Sequence, residues 1–140
     1  MYRLEIMALP LSQAQRATNP VRVLVVDDSA FMRKSLTTML EEGKQIHVVG
    51  VARNGEEAIQ QVQQLKPDVV TMDVEMPGMT GLQALQQIMS KFPVPVIMVS
   101  SITVEGAQET LQALEWSAVD FVPKQLDGVV SKIADIQHQL

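Results

Sequence analysis

Val21-Arg22-Val23-Leu24-Val25-Val26 is an apolar run that is followed directly by two acids, Asp27-Asp28. Three other short runs also end next to a polar side chain: 68–72 precedes Asp73, 94–99 precedes Ser100, and 118–123 precedes Lys124. Short runs rich in Val and Ile indicate buried strands. If they are parallel strands of one sheet, three carboxylates, a hydroxyl and an amine meet at one edge of that sheet.

Helix-like segments alternate with these runs. Ser29 is a candidate N-cap for the first helix, Asn54-Gly55 begins the second, and Thr103 is a candidate cap for the fourth. With 46–52 as the second strand, five strands alternate with five helices, which predicts an α/β fold with a doubly wound parallel sheet. The expected topology is flavodoxin-like (βα)5 with strand order 2-1-3-4-5. In that order the first and third strands are neighbours, so the three acids are expected side by side.

The composition narrows the class of function. The chain has 140 residues, 11 basic and 16 acidic side chains, and therefore a net charge of −5. This acidic balance argues against binding nucleic acid or an anionic membrane surface. The sequence contains no cysteine, which excludes disulfides and thiolate chemistry. It also shows neither a membrane-spanning run nor a signal peptide, so we expect a cytoplasmic protein.

Residues 1–20 differ from the rest of the chain. They contain Pro10 and Pro20 and precede the first strand. We expect a flexible or loosely helical N-terminal extension, because chain termini are often weakly held. The alternative is a short amphipathic helix that docks on another surface, and the sequence leaves both possibilities open. The folded domain is expected to span residues 21–140.

Asp27, Asp28 and Asp73 together suggest a metal site. Clustered carboxylates repel one another unless a cation is present, and an all-oxygen ligand set suits Mg²⁺ or Mn²⁺. Taken singly, Asp28 could be a helix cap and Asp73 a turn residue. A carboxylate beside such a metal can attack phosphorus, with Lys124 and Ser100 contacting the phosphoryl oxygens. The product would be an aspartyl phosphate, and spacing alone does not say on which acid.

Four ordered motifs resemble the receiver domain of two-component response regulators. They are 25–29 (Val-Val-Asp-Asp-Ser), 72–82 (Met-Asp-Val-Glu-Met-Pro-Gly-Met-Thr-Gly-Leu), 99–101 (Val-Ser-Ser) and 121–124 (Phe-Val-Pro-Lys). The resemblance covers about residues 21–140. Within this family the chain is most similar to the receivers of chemotaxis protein-glutamate methylesterases. That similarity lies in 73–77, 98–101 and 118–122.

The resemblance implies a role for each site residue. Asp73 would be the phosphoacceptor. Mg²⁺ would be bound by Asp28, Asp73 and the backbone carbonyl of Glu75, with Asp27 acting through water. The resemblance further implies a phosphate-binding Lys124, a switch hydroxyl on Ser100 and a switch aromatic, Phe121.

The resemblance also implies partners. The phosphoryl donor would be a chemotaxis-type sensor histidine kinase. The output would leave through the face around 111–130 to an effector domain or protein. The chain itself would have no activity beyond Mg²⁺-dependent self-phosphorylation and dephosphorylation. It would be either the regulatory part of a methylesterase, a carboxylic ester hydrolase, or a free-standing receiver.

Two positions depart from the family pattern. Gln125 follows Lys124 where receivers usually have proline, so we predict a trans Lys124-Gln125 peptide bond or visible strain there, because a cis bond before a non-proline costs about 3–4 kcal/mol. Trp116-Ser117 precedes the fifth strand where receivers of this subgroup have glycine. We expect a differently shaped helix end there.

Two other functions remain open. An aspartyl-phosphate-forming phosphatase or mutase would share the acidic cluster, but Asp73-Val74-Glu75 lacks the second Asp that such enzymes usually carry. A flavin carrier can use the same sheet topology, but Asp27-Asp28 would repel the flavin phosphate. Multiple turnover on small phosphate esters would indicate the enzyme, and a coloured protein would indicate the flavin carrier.

Overall fold

The structure is a computed structural model that describes residues 19–100, 112, 115, 120–123 and 126–139. Its strands are β1 (Val21–Val26), β2 (Ile46–Ala52), β3 (Val69–Asp73), β4 (Val96–Ser100) and β5 (Asp120–Pro123). Its helices are α1 (Ala30–Glu41), α2 (Gly55–Leu65), α3 (Gly81–Lys91) and α4 (Leu126–Gln139). Gln112 and Glu115 are also helical. The predicted cap at Thr103, and Ala107, Leu111 and Leu114 of that segment, lie outside the described residues.

The five strands form one parallel sheet in the order β2-β1-β3-β4-β5. This confirms the predicted fold class and strand order. β1 lies between β2 and β3, and Val26 at the end of β1 pairs with Met72 in β3. The residues that follow β1 and those that end β3 therefore meet at the carboxyl edge of the sheet.

Two apolar layers cover the faces of the sheet. On one face, β1, β3 and β4 pack against α2 and α3 through a cluster that includes Leu24, Met72, Val62, Leu85 and Ile88. On the other face, alternate residues of the same strands pack against α1 and α4 through a cluster that includes Val25, Ile97, Leu36, Leu40 and Ile133. Because the strands are buried on both faces, they are almost continuously apolar, as parallel strands usually are.

Side-chain caps fix where three helices begin. The hydroxyl of Ser29 accepts a hydrogen bond from the Met32 N–H, which confirms Ser29 as the cap of α1. Asn54 caps α2 in the same way. Thr80 and Gln83 form a reciprocal capping box at the start of α3. The interpretation of Asp28 as a helix cap is therefore wrong.

β3 begins one residue later than predicted. The backbone N–H of Asp68 donates to the carbonyl of Arg22 at 2.8 Å, and its carboxylate accepts the N–H of Arg22 at 2.9 Å. Asp68 thus contacts β1 through both its backbone and its side chain just before the strand begins at Val69. At the other end, Asp73 pairs with Val99 and is still part of the strand. Asp73 was expected to follow the third strand, and it is instead the last residue of that strand.

β4 begins at Val96 and not at Val94 as predicted. Pro95 has no N–H to donate to a strand ladder. Its carbonyl still accepts the N–H of Val70 at 2.9 Å, which fixes the segment beside β3. The predicted start of the fifth strand at Ala118 lies outside the described residues.

Candidate functional site

Three aspartates meet at the carboxyl edge of the sheet. Asp27 and Asp28 directly follow β1, and Asp73 is the last residue of β3. One carboxylate oxygen from each lies within 4.8 Å of the other two. Asp27 and Asp73 are buried, with 1% and 2% of their surface exposed, and Asp28 is exposed to solvent. The predicted convergence of the three acids is confirmed.

Backbone and side-chain hydrogen bonds hold Asp27 in place. Its N–H donates to the carbonyl of Ala52 on the neighbouring strand. Its carboxylate accepts the N–H of Ser29 at 2.8 Å, and its carbonyl accepts a hydrogen bond from the Arg33 guanidinium at 2.9 Å. The turn between β1 and α1 therefore has a defined shape, with Asp28 at its exposed corner.

The loop after β3 closes tightly on Asp73. The N–H of Gly81 donates to the carbonyl of Val74 at 2.9 Å, and the N–H of Val74 donates to the carbonyl of Val99. A Cβ atom placed on Gly81 would lie 2.0 Å from the carbonyl oxygen of Asp73. The N–H of Glu75 donates to Oδ1 of Asp73 at 3.3 Å. The backbone and the carboxylate of Asp73 are thus both positioned by this loop.

This donor set fits a small, hard divalent cation. All three groups are carboxylates, and oxygen ligands select Mg²⁺, Ca²⁺ or Mn²⁺ over softer metals. Three like charges so close together repel one another, and a divalent cation between them would offset that repulsion. The exposure of Asp28 gives the cluster an open side toward solvent. Mg²⁺ commonly keeps several water ligands, which such an open side allows.

Other predicted site residues are described only in part. The backbone of Ser100 ends β4 and pairs with Pro123, and the backbone of Phe121 lies in β5 opposite Met98. The side chains of Ser100 and Phe121, and the whole of Lys124, lie outside the described residues. Their predicted roles therefore stay predictions. The same holds for the Lys124-Gln125 bond and for the helix end at Trp116-Ser117.

Two residues near the cluster escaped the sequence analysis. Phe31 lies in the first turn of α1, three positions after Asp28, and is 77% exposed. The sequence did indicate the exposure of Phe31. This residue directly precedes Met32 and therefore lies outside the apolar stripe of the helix. Gly81 occurs in the sequence only as part of the motif at 72–82. Its close approach to Asp73 depends on the path of the loop, which local pattern does not reveal.

Ion pairs shift the pKa of two groups near the ends of the sheet. Arg53 follows β2 and donates two guanidinium hydrogen bonds to Glu57 in α2, which lowers the pKa of the Glu57 carboxyl. On the other side of the sheet, Lys132 of α4 contacts Asp120 of β5. This hydrogen bond and the charge of Asp120 raise the pKa of the Lys132 amine. Both pairs are accessible to solvent, so salt weakens them.

A sequence model described as the response regulator receiver domain matches residues 23–132. The chain belongs to the response regulator receiver family. In this receiver, the matched region contains the acidic cluster and all of the sheet except the first two residues of β1. The comparison leaves the predicted division at residues 20 and 21 untested.

Curated relatives of this receiver include protein-glutamate methylesterase/protein-glutamine glutaminases. One from Oleidesulfovibrio alaskensis is 58% identical over 120 residues, and one from Pyrococcus abyssi is 52% identical over 120 residues. The aligned part is 86% of this chain in both cases, but 32% and 33% of those proteins. This receiver thus spans about a third of the length of the curated relatives it matches.

Solved structures give the same assignment. The response regulator domain of Thermotoga maritima CheB is 44% identical, with a TM-score of 0.76, and the match covers 86% of this chain and 96% of that one. A chain of the CheX-CheY-BeF3-Mg complex from Borrelia burgdorferi is 31% identical, with a TM-score of 0.75 and coverage of 84% and 90%. Within the residues described for this receiver, no helix combines the length and the apolar character needed to traverse a bilayer.

Proposed function

We propose that this receiver is a phosphorylation switch in which Asp73 accepts a phosphoryl group from a phosphohistidine on a chemotaxis-type sensor kinase. The observation that carries the proposal is the meeting of the Asp27, Asp28 and Asp73 carboxylates within 4.8 Å in a chain of this family. Asp27 already accepts a hydrogen bond from the α1 turn, and Asp28 faces solvent. Asp73 is buried and its backbone is held by the following loop, which makes it the best positioned nucleophile.

The chemical step is an in-line phosphoryl transfer. A carboxylate oxygen of Asp73 forms a new P–O bond while the P–N bond to the donor imidazole breaks, and the imidazole nitrogen keeps the electron pair and takes a proton from water. The N–H of Glu75 bonds to Oδ1 and so orients the Asp73 carboxylate during this attack. Positioning of this kind is a major part of catalysis of phosphoryl transfer.

Asp28 and Asp73 would hold Mg²⁺ directly, together with the backbone carbonyl of Glu75, and Asp27 would help through water. When bound, Mg²⁺ neutralises charge on the transferring phosphoryl group. The all-oxygen donor set supports this assignment. The similar CheX-CheY complex from Borrelia burgdorferi also contains Mg²⁺ and a beryllium fluoride group.

Phosphorylation would then shift the receiver between two conformations. The added phosphoryl group brings charge and acceptor oxygens, which Ser100 and Lys124 would bind better in one conformation than in the other. Phe121 would change its position together with Ser100. The face around 111–130 would report the change to an effector, because β5 and α4 are joined there by the Asp120–Lys132 ion pair.

Phe31 supplies a contact surface for the phosphoryl donor. It is a large apolar side chain, 77% exposed, in the turn of helix that follows Asp28. Aromatic residues, including phenylalanine, are enriched in protein–protein interfaces relative to the rest of the surface. A kinase domain that carries its phosphohistidine to Asp73 would pass over this end of α1.

The parent protein would be a protein-glutamate methylesterase, with this receiver as its regulatory part. The names of relatives that are 50–58% identical support that assignment. The alternative is a free-standing receiver. Methylesterase activity of the parent gene product, changed by phosphorylation of the receiver, would support the first and contradict the second.

The decisive assay incubates the purified chain with acetyl phosphate, with and without Mg²⁺, and follows intact mass. The switch predicts one phosphoryl group per chain, formed only with the metal and released slowly. Rapid multiple turnover on small phosphate esters would instead indicate a phosphatase. An unchanged mass with Mg²⁺ present would contradict the proposal.

A further inference from the structure

A groove of about 780 Å³ lies at the edge of the sheet opposite the acidic cluster. It is formed where α2 and α3 end and where β3 and β4 begin. Six of its nine lining residues are apolar or proline, and the full lining is Val62, Gln63, Lys66, Pro67, Asp68, Phe92, Pro93, Val94 and Pro95. Its volume is in the range of about 300–1,000 Å³ that binds a compact ligand or a few side chains.

The start of β1 is anchored at the rim of this groove. The backbone N–H of Arg22 donates to the carboxylate of Asp68, which lines the groove. The Arg22 guanidinium donates to the carbonyls of Leu65 and Lys66 at 2.8 Å, across the end of α2. The chain therefore enters β1 close to the groove.

That preceding chain contains an apolar segment of suitable size. Residues 4–11 read Leu-Glu-Ile-Met-Ala-Leu-Pro-Leu, so Glu5 is the one charged residue among eight. Glu5 is also the one acid in residues 1–18, and the exposed Lys66 on the groove wall offers it an opposite charge. The composition of this segment, apolar with one acid, thus matches an apolar groove in which Lys66 is exposed and the Asp68 carboxylate already accepts a hydrogen bond from Arg22.

We propose that residues 4–11 of this chain dock in the groove between the ends of α2 and α3. Eight residues, 12–19, separate the segment from Pro20, and an extended chain of that length spans roughly 30 Å. A short tether of this kind gives an effective concentration in the mM range, so even a weak contact becomes populated. Because the groove is at the edge of the sheet opposite Asp73, the docked segment leaves the phosphorylation site open.

Other described cavities fit this segment less well. One between α2 and α3 is lined mainly by polar residues, including Glu56, Gln83 and Gln87. Another beside α1 carries Arg33 and Lys34. An apolar segment gains less from such surfaces, because polar groups covered without a hydrogen-bond partner cost free energy. The groove beside Arg22 combines apolar walls with proximity to the start of β1.

The absence of native cysteine makes a direct test simple. A single nitroxide spin label is attached at Gln64→Cys, an exposed α2 position next to the groove, and amide signals are recorded by NMR. The control carries the label at Thr38→Cys, an exposed position on α1, which covers the opposite face of the sheet. Docking predicts loss of the amide signals of residues 4–11 with the first label and not with the second.

Three further comparisons decide the outcome. The triple variant Leu4→Ser, Ile6→Ser, Leu9→Ser should restore the lost signals without changing the spectrum of the sheet. A second sample mixes isotope-labelled chains that carry no nitroxide with spin-labelled chains that carry no isotope. In this mixture the amide signals of residues 4–11 should not be lost. Loss in that mixture would mean that a second copy fills the groove, and would overturn the proposal. Equal loss from both labels, or none from either, would also overturn it, and neither result bears on phosphorylation of Asp73.

Discussion

Gly81 packs against the carbonyl oxygen of Asp73 with no room for a side chain, since a Cβ atom there would approach that oxygen to 2.0 Å. The N–H of Gly81 also donates to the carbonyl of Val74, next to Asp73. The first residue of α3 therefore sets the backbone position of the proposed phosphoacceptor. The loop between Asp73 and Gly81 contains Glu75.

Replacing Gly81 with alanine should damage both stability and phosphorylation. Because the clash is with backbone atoms, relief requires the loop or β3 to move, and overpacking of this kind costs about 1–3 kcal/mol. The free energy of unfolding, measured in urea, should fall by that amount, and labelling by acetyl phosphate should slow. Gly43→Ala is the matched control, since a Cβ there meets nothing within 4 Å. Equal stability of the two variants would show that the close approach to Asp73 is incorrect.

Phe31→Ala should slow phosphoryl transfer from a phosphohistidine donor. If Phe31 is a binding hot spot, its truncation costs about 2 kcal/mol of binding, which corresponds to a decrease of more than tenfold in transfer efficiency. Folding stability should change little, because the side chain is 77% exposed.

Acetyl phosphate supplies the control for Phe31, since a small donor needs no docking surface. Its rate of labelling should be the same in Phe31→Ala and in the native chain. Gln64→Ala, at an exposed position at the far end of α2, should leave both donors unaffected. Equal slowing with both donors would place Phe31 in the chemistry of the site and would refute its role in docking.

Mg²⁺ should stabilise the folded chain through the acidic cluster. A ligand at a hundredfold excess over its Kd adds about 2.7 kcal/mol to the free energy of unfolding. Asp28→Asn should remove most of this gain, because it takes away one of three carboxylates that lie within 4.8 Å of one another. With a chelator present, the same variant should be more stable than the native chain, since one repulsive charge is gone.

Asp135→Asn is the control for the metal experiment. Asp135 is exposed on α4 and is not part of the cluster. Its replacement removes the same charge and should leave the gain from Mg²⁺ intact. If Asp28→Asn retained the full gain, the cation would have to bind elsewhere.

Arg53→Gln should raise the pKa of Glu57. The side-chain hydrogen bond from Arg53 is the largest cause of the lowered pKa of this carboxyl, and the charge of Arg33 is the smallest. The Arg53 backbone N–H also donates to Glu57, and the substitution keeps that hydrogen bond. A carboxyl with a lowered pKa in the folded state contributes stability above its ordinary pKa, and this contribution is lost as the pH falls through the folded value. NMR titration of the Glu57 carboxyl should show a larger rise in Arg53→Gln than in Arg33→Gln. The reverse order would contradict the assigned causes.

Most of the sheet was predictable because β1, β3 and β4 are nearly continuous apolar runs that lead into polar residues. Val21–Val26 before Asp27 is the clearest case, and the same pattern placed Asp73 beside it through the strand order. The start of β4 was less predictable. Val94 and Val96 have equal apolar character, and only the missing N–H of Pro95 separates loop from strand.

The contacts at both ends of β3 join distant parts of the chain. Asp68 was assigned to a strand because it precedes an apolar run, but its carboxylate is bound by the N–H of Arg22, 46 positions away. The close packing of Gly81 on Asp73 likewise follows from how the loop folds back. Such contacts leave no local pattern, so the acids were predictable from the sequence and the contacts that hold them were not.

Phosphorylation of Asp73 is most directly tested by labelling the native chain and Asp73→Asn with radioactive acetyl phosphate in the presence of Mg²⁺. Circular dichroism would first establish that both are folded. The switch mechanism predicts labelling of the native chain and of Asp135→Asn, and none of Asp73→Asn. Undiminished labelling of folded Asp73→Asn would contradict the mechanism, because another residue would then be the phosphoacceptor.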